Sequence, residues 1–391
     1  MAMKKVRGKE QKYITAQDVI SAIPHQIVDT NRNLIEKACA FAKEKHEEQL
    51  RYSKVPYYTH VFEVGKLLAQ FGMPTNVIVA GILHDTIEDT KTTAKEIAQE
   101  FNEEIAFLVE SVSHLGEIRY QGLDVRIKSL QKLFVATSKD LRVMIIKLMD
   151  RLHNMRTLSF VPAAKQKRIA KETQRVYAPL ADRLGMGTIK TELEELAFKH
   201  IDPKTYEDLK KKIEEAIGSV SIENIEKKMR GVLASEGILN VNISSRIKSV
   251  YSTYTKMHYK KYSFEQIHDL IALRVVVDDT PMAYNTLGII HAHWKPIPGT
   301  LKDYISLPKP NGYQAIHTRI IINQHIMEIH ILTYSMQQHA KFGIAAHFNY
   351  KEKRSGIAGI EMRWFNKLLT PQHTTKETKN CLLYTSPSPR D

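Results

Sequence analysis

The sequence predicts a multidomain α plus α/β protein: an all-helical domain, a helical connector, then a domain built on a mixed sheet. Three observations carry this. At 391 residues the chain is too long for one hydrophobic core. From residue 31 to about residue 200, apolar side chains recur at helical spacing in nearly every segment. After Gly237 the pattern changes to short alternating, β-branched runs with helical stretches between them. The expected divisions are 1–195 for the helical domain, 196–237 for the connector, 238–355 for the α/β domain and 356–391 for a tail.

Taken in order, a polar turn at 51–59 leads into a helix over 61–71. The run 80–90 is apolar until it ends in His84, Asp85, Glu88 and Asp89. Its greasy part, 77–83, has the length of a buried helix and falls well short of the ~20 residues that span a bilayer. Thr93 and Glu96 read as a capping box, after which Ile97, Phe101, Ile105, Leu108 and Val112 share one face. Residues 141–149 form another apolar helix running into Asp150. Residues 178–238 stay helical but more charged, with Glu192, Glu194, Glu195 and Lys210 to Lys212 expected on exposed faces, and Asp202-Pro203 marks a break. Strands are expected at 239–244, 270–277, 318–322 and 326–332, the last two as a hairpin, with a helix at 250–259. Residues 381–391 have no periodicity and resemble translated adapter sequence, so they are set aside as non-native.

Fifty-seven Lys and Arg against 43 Asp and Glu give a net charge of +14, which points to an anionic partner: nucleic acid, a lipid surface or phosphorylated small molecules. Cys39 and Cys381 have neither metal-binding spacing nor the makings of a disulfide framework. The N-terminal residues lack the apolar core of a signal peptide. The expected location is the cytoplasm, with no membrane attachment.

On a helix, His84 and Glu88 lie one turn apart, as do Asp85 and Asp89, so an apolar half anchors a half rich in donors. Imidazole with carboxylate suits Mn, Fe or Zn better than Ca. Further donors are at hand in His60 upstream and in Asp150 downstream, where Asp150, Asn154 and Thr157 recur at helical spacing. His153, His258, His291 and His293 are read as packing or surface histidines. This set resembles the metal-dependent His-Asp (HD) phosphohydrolases and, within them, the long RelA/SpoT-type alarmone synthetase-hydrolases, the Rel proteins. The resemblance rests on residues 51–60, on His84-Asp85 with Glu88-Asp89, and on residues 150–157.

A second constellation follows. Residues 244–261 hold Arg246, Lys248, Lys256, Lys260 and Lys261 and no acid, interleaved with Tyr251, Tyr254 and Tyr259, a pattern that suits single-stranded RNA as well as a nucleotide. Asp269 precedes one strand and Glu328 lies on another, so adjacent strands would bring two acids beside a basic groove, as Mg²⁺-dependent pyrophosphoryl transfer requires. Lys302-Asp303 and the stretch 309–318 add cations, amides, a stacking ring and a permissive glycine. These segments too resemble the Rel synthetase domain, and the likeness runs from about residue 31 to residue 353.

The resemblance implies an HD fold followed by a nucleotidyltransferase-like synthetase fold, and two opposed reactions. In the first site it implies Mn²⁺ held by His60, His84, Asp85 and Asp150, proton handling by Glu88 and Asp89, and a nucleotide gripped by Arg51, Ser53, Asn154 and Thr157. In the second it implies Mg²⁺ on Asp269 and Glu328, with Glu328 also drawing the proton from the acceptor hydroxyl. ATP would be bound by Arg246, Lys248, Lys256 and Arg274, and GDP or GTP by Lys302, Lys309, Asn311, Tyr313, Gln314 and His317. The product and hydrolase substrate is (p)ppGpp; ribosome or tRNA contact would run only through domains missing from this chain. Gly343 to His347 matches the motif that closes the synthetase domain. Departures from the family pattern are Tyr52 for Lys, Lys54 for Gly, Ile247 for Pro, Thr300 for Arg, His330 for Gln and Leu332 for Arg. The rival readings are a hydrolase with a degenerate second domain and an RNA-binding module.

Overall fold

The computed structural model describes residues 13–24, 27–116, 140–218, 221–259, 261–267, 269–322 and 325–346. Lys260, the hairpin positions 323 and 324, His347 and the expected tail at 356–391 lie outside the described residues. The described chain falls into two compact units, one ending at Val161 and the other beginning at Pro162. By this division, the helices from Ala163 to Ser235 belong with the sheet that follows them.

The first unit is helical among its described residues: α1 (Ala16–Ile20), α2 (Asp29–Lys45), α3 (Tyr58–Gln70), α4 (Thr75–Leu83), α5 (Thr86–Asp89), α6 (Ala94–Glu100), α7 (Glu103–Gly116) and α8 (Leu141–Arg156). Helix α4 is buried from Val77 through Leu83, as expected of a helix surrounded by others. Two glycines let it approach α3: a Cβ at Gly81 would meet Leu68 Cδ1 at 2.1 Å, and one at Gly65 would meet Ile82 Cγ1 at 2.5 Å.

Two expected continuous helices are each broken, and side chains do the breaking. The run through His84 and Asp85 is interrupted because His84 Nδ1 engages the Gly81 carbonyl at 2.8 Å and Thr86 Oγ1 donates to the Leu83 carbonyl at 2.6 Å. The face from Ile97 to Val112 is split between α6 and α7, where Asn102 Oδ1 accepts from Ile105 N–H. Only half of the expected capping box forms: Thr93 Oγ1 accepts from Glu96 N–H, while the Glu96 carboxylate turns to Lys45 at 2.8 Å.

In the second unit come α9 (Ala163–Glu172), a π-turn (Thr173–Tyr177), α10 (Ala178–Arg183), α11 (Gly187–Ile201), α12 (Pro203–Gly218) and α13 (Ile222–Ser235). The break at Pro203 falls where expected. The exposure of the acids does not: Glu194 is half-buried, which pushes its carboxyl up to about 7, and Glu195 accepts from the N–H groups of Val250 and Tyr251.

There follow β1 (Asn242–Ile247), α14 (Val250–Tyr259), β2 (Ile271–Val277), α15 (Thr280–His293), β3 (Lys302–Asp303), β4 (Ile316–Ile322), β5 (His325–Thr333) and α16 (Tyr334–Phe342). The sheet order is β1-β2-β5-β4-β3, antiparallel except for the parallel β2–β5 pair. Ile243, Leu273, Val275, Ile316, Ile320, Ile329 and Ile331 pack with Met229, Leu233, Ala283 and Ile290 from α13 and α15, so those helices cover one face. The registers Arg246↔Ala272, Ala272↔Glu328, Arg274↔His330, His317↔His330, Arg319↔Glu328 and Lys302↔His317 put the polar side chains together on the other.

Candidate active sites

In the first unit, α3, the α4–α5 break and α8 each deliver part of one cluster. His60 Nε2 lies 3.5 Å from Asp85 Oδ2 and 3.3 Å from Asp150 Oδ1; His84 Nε2 lies 3.1 Å from Asp85 Oδ1 and 3.8 Å from Asp150 Oδ1. All four residues are buried. His84 Nε2 has no hydrogen-bond partner, and its Nδ1 is committed to Gly81. A buried imidazole nitrogen aimed among two carboxylates and a second imidazole is what a divalent ion needs, so the donor set fits one.

Burial works against charge on His84, but Asp85 and Asp150 outweigh it and raise the group to about 10, whereas burial prevails at His60 and lowers it. Around the four, Asn154 Nδ2 donates to Asp150 Oδ1 at 2.5 Å, and Arg51 donates to Asn154 Oδ1 at 2.8 Å and to Thr157 Oγ1 at 3.3 Å. Ser53 is half-buried in the same turn as Arg51. Lys54 in that turn has φ 61, a left-handed conformation that suits the glycine usual there. Glu88 and Asp89 are exposed at the rim; the partial desolvation of Glu88 there, with the neighbouring Asp85 and Asp89, raises its carboxyl despite Lys147.

Sequence reasoning missed two residues. His153, set aside as a packing histidine, places its Nδ1 2.6 Å from His60 Nδ1, and burial followed by His60 lowers it to about 3. A neutral His153 accepts the His60 Nδ1 proton and leaves His60 Nε2 facing the carboxylates. Its place three residues after Asp150, on the face shared with Asn154 and Thr157, was the available signal. Tyr57 is the second: its hydroxyl is 2.8 Å from a carboxylate oxygen of both Asp85 and Asp89. The other histidines do lie elsewhere: His258 stacks on Tyr254, His291 meets Thr318 and His293 meets Glu236.

In the second unit, Asp269 and Glu328 face the same guanidinium: Arg319 Nη2 is 3.9 Å from Asp269 Oδ2 and 3.8 Å from Glu328 Oε2. Lys248 binds Asp269 Oδ2 at 2.6 Å and Lys256 binds the same oxygen. Burial and the adjacent Lys256 depress Lys248 to about 8, against the pull of Asp269. Arg274 is lowered by burial and by Arg246 beside it. A pair of acids bordered by three cations, Lys248, Lys256 and Arg319, fits a divalent ion carried in with a polyphosphate.

The acceptor-side residues also converge. Lys309 Nζ lies 4.6 Å from the Tyr304 ring centre and 5.0 Å from that of Tyr313. Gly312, at φ 77, turns the chain so that Asn311 Oδ1 accepts from Tyr313 N–H. Tyr313 Oη meets His317 Nε2 at 2.8 Å, Gln314 donates to the Ile305 carbonyl, and Lys302 stands opposite His317. Among the described residues, three donor atoms lie within 4.8 Å of one another in two places: His60, His84 and Asp85, and His317, Glu328 and His330.

Two family profiles match, one described as HD domain over residues 38–187 and one as region found in RelA / SpoT proteins over residues 245–355. The chain carries an HD domain followed by a RelA/SpoT region. A guanosine-3′,5′-bis(diphosphate) 3′-pyrophosphohydrolase from Aquifex aeolicus is 42% identical over 341 residues, covering 86% of this chain and 48% of that protein. A GTP pyrophosphokinase from Myxococcus xanthus is 39% identical over 364 residues, covering 90% and 48%. The chain thus spans about half the length of the curated relatives it matches. Among solved structures, small alarmone synthetase 1 from Bacillus subtilis bound to pppGpp is 20% identical at a TM-score of 0.29, covering 42% of this chain and 89% of that one. No described helix is long and apolar enough to cross a membrane.

Proposed function

We propose that this RelA/SpoT chain is a bifunctional alarmone enzyme of the cytoplasm that both makes and degrades (p)ppGpp. The observation that carries the reading is the gathering of two sets of donors, each within its own unit, with the relatives' names divided between the two opposed reactions. The HD site would hold Mn²⁺ through His60, His84, Asp85 and Asp150. A divalent ion there lowers the pKa of its water towards neutrality, to ~7 in zinc enzymes. Arg51, Ser53, Asn154 and Thr157 bind the nucleotide, while Glu88 and Asp89 take the proton of the attacking water and return one to the ribose 3′-oxygen, which leaves as its bond to phosphorus breaks and pyrophosphate is released.

In the RelA/SpoT region, Asp269 and Glu328 hold Mg²⁺. Arg246 and Arg274 flank the adenine, Lys248 and Lys256 leave Asp269 for the ATP phosphates, and Tyr313 stacks on guanine. Lys302, Lys309, Asn311, Gln314 and His317 line the acceptor site. Glu328 takes the proton of the 3′-hydroxyl, the new bond forms from that oxygen to the β-phosphorus, and AMP leaves as the α–β bridge breaks. Labelled ATP and GDP with Mg²⁺ should yield ppGpp and AMP, and ppGpp with Mn²⁺ should yield GDP and pyrophosphate. Steeply salt-dependent RNA binding with no turnover of either kind would instead support the RNA-binding module.

A further inference from the structure

We propose that Glu195, on α11, is a positioning residue for ATP: its carboxylate fixes the start of α14, and through it the two lysines that the synthetase reading assigns to the ATP phosphates. The inference rests on that reading and adds to it a residue that touches no nucleotide itself.

Helix α14 begins at Val250, and its first N–H groups have no partner within the helix. Two of them are taken from outside. Val250 N–H donates to Glu195 Oε1 at 3.2 Å and Tyr251 N–H to Glu195 Oε2 at 3.1 Å, so each carboxylate oxygen holds one backbone group. The negative charge also complements the positive end of the helix. The Tyr206 hydroxyl is a third donor to the same carboxylate. Phe198, one turn further along α11, packs on Tyr254 and Tyr251 with ring centroids 4.6 and 5.5 Å apart. None of these partners is assigned to a nucleotide.

What depends on this bracing is the aim of Lys248 and Lys256. Lys248 stands just before α14 and Lys256 lies within it, and both reach Asp269 Oδ2. Between Lys248 and the helix, Ser249 Oγ accepts from Ser252 N–H at 3.2 Å, so the first three N–H groups of α14 are each held by a side chain, two of them by Glu195. Glu195 is half-buried, and removing its carboxylate leaves those two groups without their acceptor. The first turn then shifts, and both ammonium groups shift with it. A displacement of about 1 Å is enough to spoil the fit to a phosphate.

The acceptor side is tied to the other end of the same helical hairpin. Asn311 Nδ2 donates to the Asp182 carbonyl at 3.3 Å, and a Cβ at Gly185 would lie 3.1 Å from the Asn311 carbonyl oxygen. The loop that carries Lys309 and Tyr313 is therefore seated on the turn between α10 and α11, away from Glu195. Loss of Glu195 should fall on one nucleotide and spare the other, which a general loosening of the unit would not do.

The test uses the full chain. Calorimetry gives the Kd of the α,β-methylene analogue of ATP with Mg²⁺ and that of GDP, beside the KM of each substrate in synthesis and the denaturation midpoint. Glu195→Ala should raise the Kd of the analogue and the KM of ATP about tenfold or more, with the GDP values changed by less than about twofold. Glu195→Gln keeps one acceptor oxygen, hence one of the two bonds, and should recover part of the loss. Should Glu195→Ala fail to fold, Glu195→Gln carries the test with a smaller shift in the same direction. ATP affinity unchanged in both variants, or ATP and GDP weakened equally alongside a lower midpoint, would overturn the proposal. Failure of the function reading would appear separately, as an unaltered chain that binds the analogue and makes no ppGpp.

Discussion

At the scale of single residues, protonation governs the HD site. Its His84 is raised to about 10 when no ion is bound, so at pH 8 it is charged and must lose a proton before it can ligate. Mn²⁺ uptake at that pH should release about one proton per ion, readable by calorimetry in buffers of different ionisation enthalpy; uptake with no release would contradict this. The sign for stability is the opposite of that for affinity. A folded value above the unfolded 6.5 stabilises the metal-free protein fully below pH 6.5, and that contribution fades as pH rises towards 10. His153 acts through His60, and His153→Ala should weaken Mn²⁺ by about 10–100-fold, with little change in the circular dichroism spectrum. The acids and imidazoles were legible because several carry the same chemistry at helical spacing. The role of His153 was hidden because what defines it is a contact to His60 from another helix.

At the scale of elements, the existence and kind of the long helices and strands followed from periodicity, and their ends did not. The α4–α5 break depends on His84 and Thr86 capturing carbonyls, a competition that apolar spacing does not register. Strand β1 begins at Asn242 where 239 was expected, leaving Leu239 79% exposed. The short β3, along with α15 and α16, gave no signal that the sequence reading used. Gly343 is the element-level feature with the plainest consequence. Its φ is 57, and an added Cβ would meet the Leu184 carbonyl oxygen at 2.2 Å, where Ile344 N–H also bonds at 2.9 Å. The obstacle is backbone and cannot rotate away. Gly343→Ala should therefore destabilise the RelA/SpoT-containing unit by about 2 kcal/mol or more, seen as a lower denaturation midpoint.

At the scale of the whole molecule, every residue assigned to the hydrolase lies before Val161 and every residue assigned to the synthetase lies after Pro162. Running both reactions at once would only consume ATP, so their rates should respond in opposite directions to nucleotide; equal and simultaneous rates under all ligand conditions would count against that. The most direct measurement is the pair of rates, synthesis from ATP and GDP with Mg²⁺ and hydrolysis of ppGpp with Mn²⁺, in the unaltered chain, His84→Ala and Asp269→Ala. His84→Ala should lower hydrolysis by about a hundredfold or more and spare synthesis, and Asp269→Ala should do the converse. Hydrolysis that survives His84→Ala, or synthesis that survives Asp269→Ala, would contradict it.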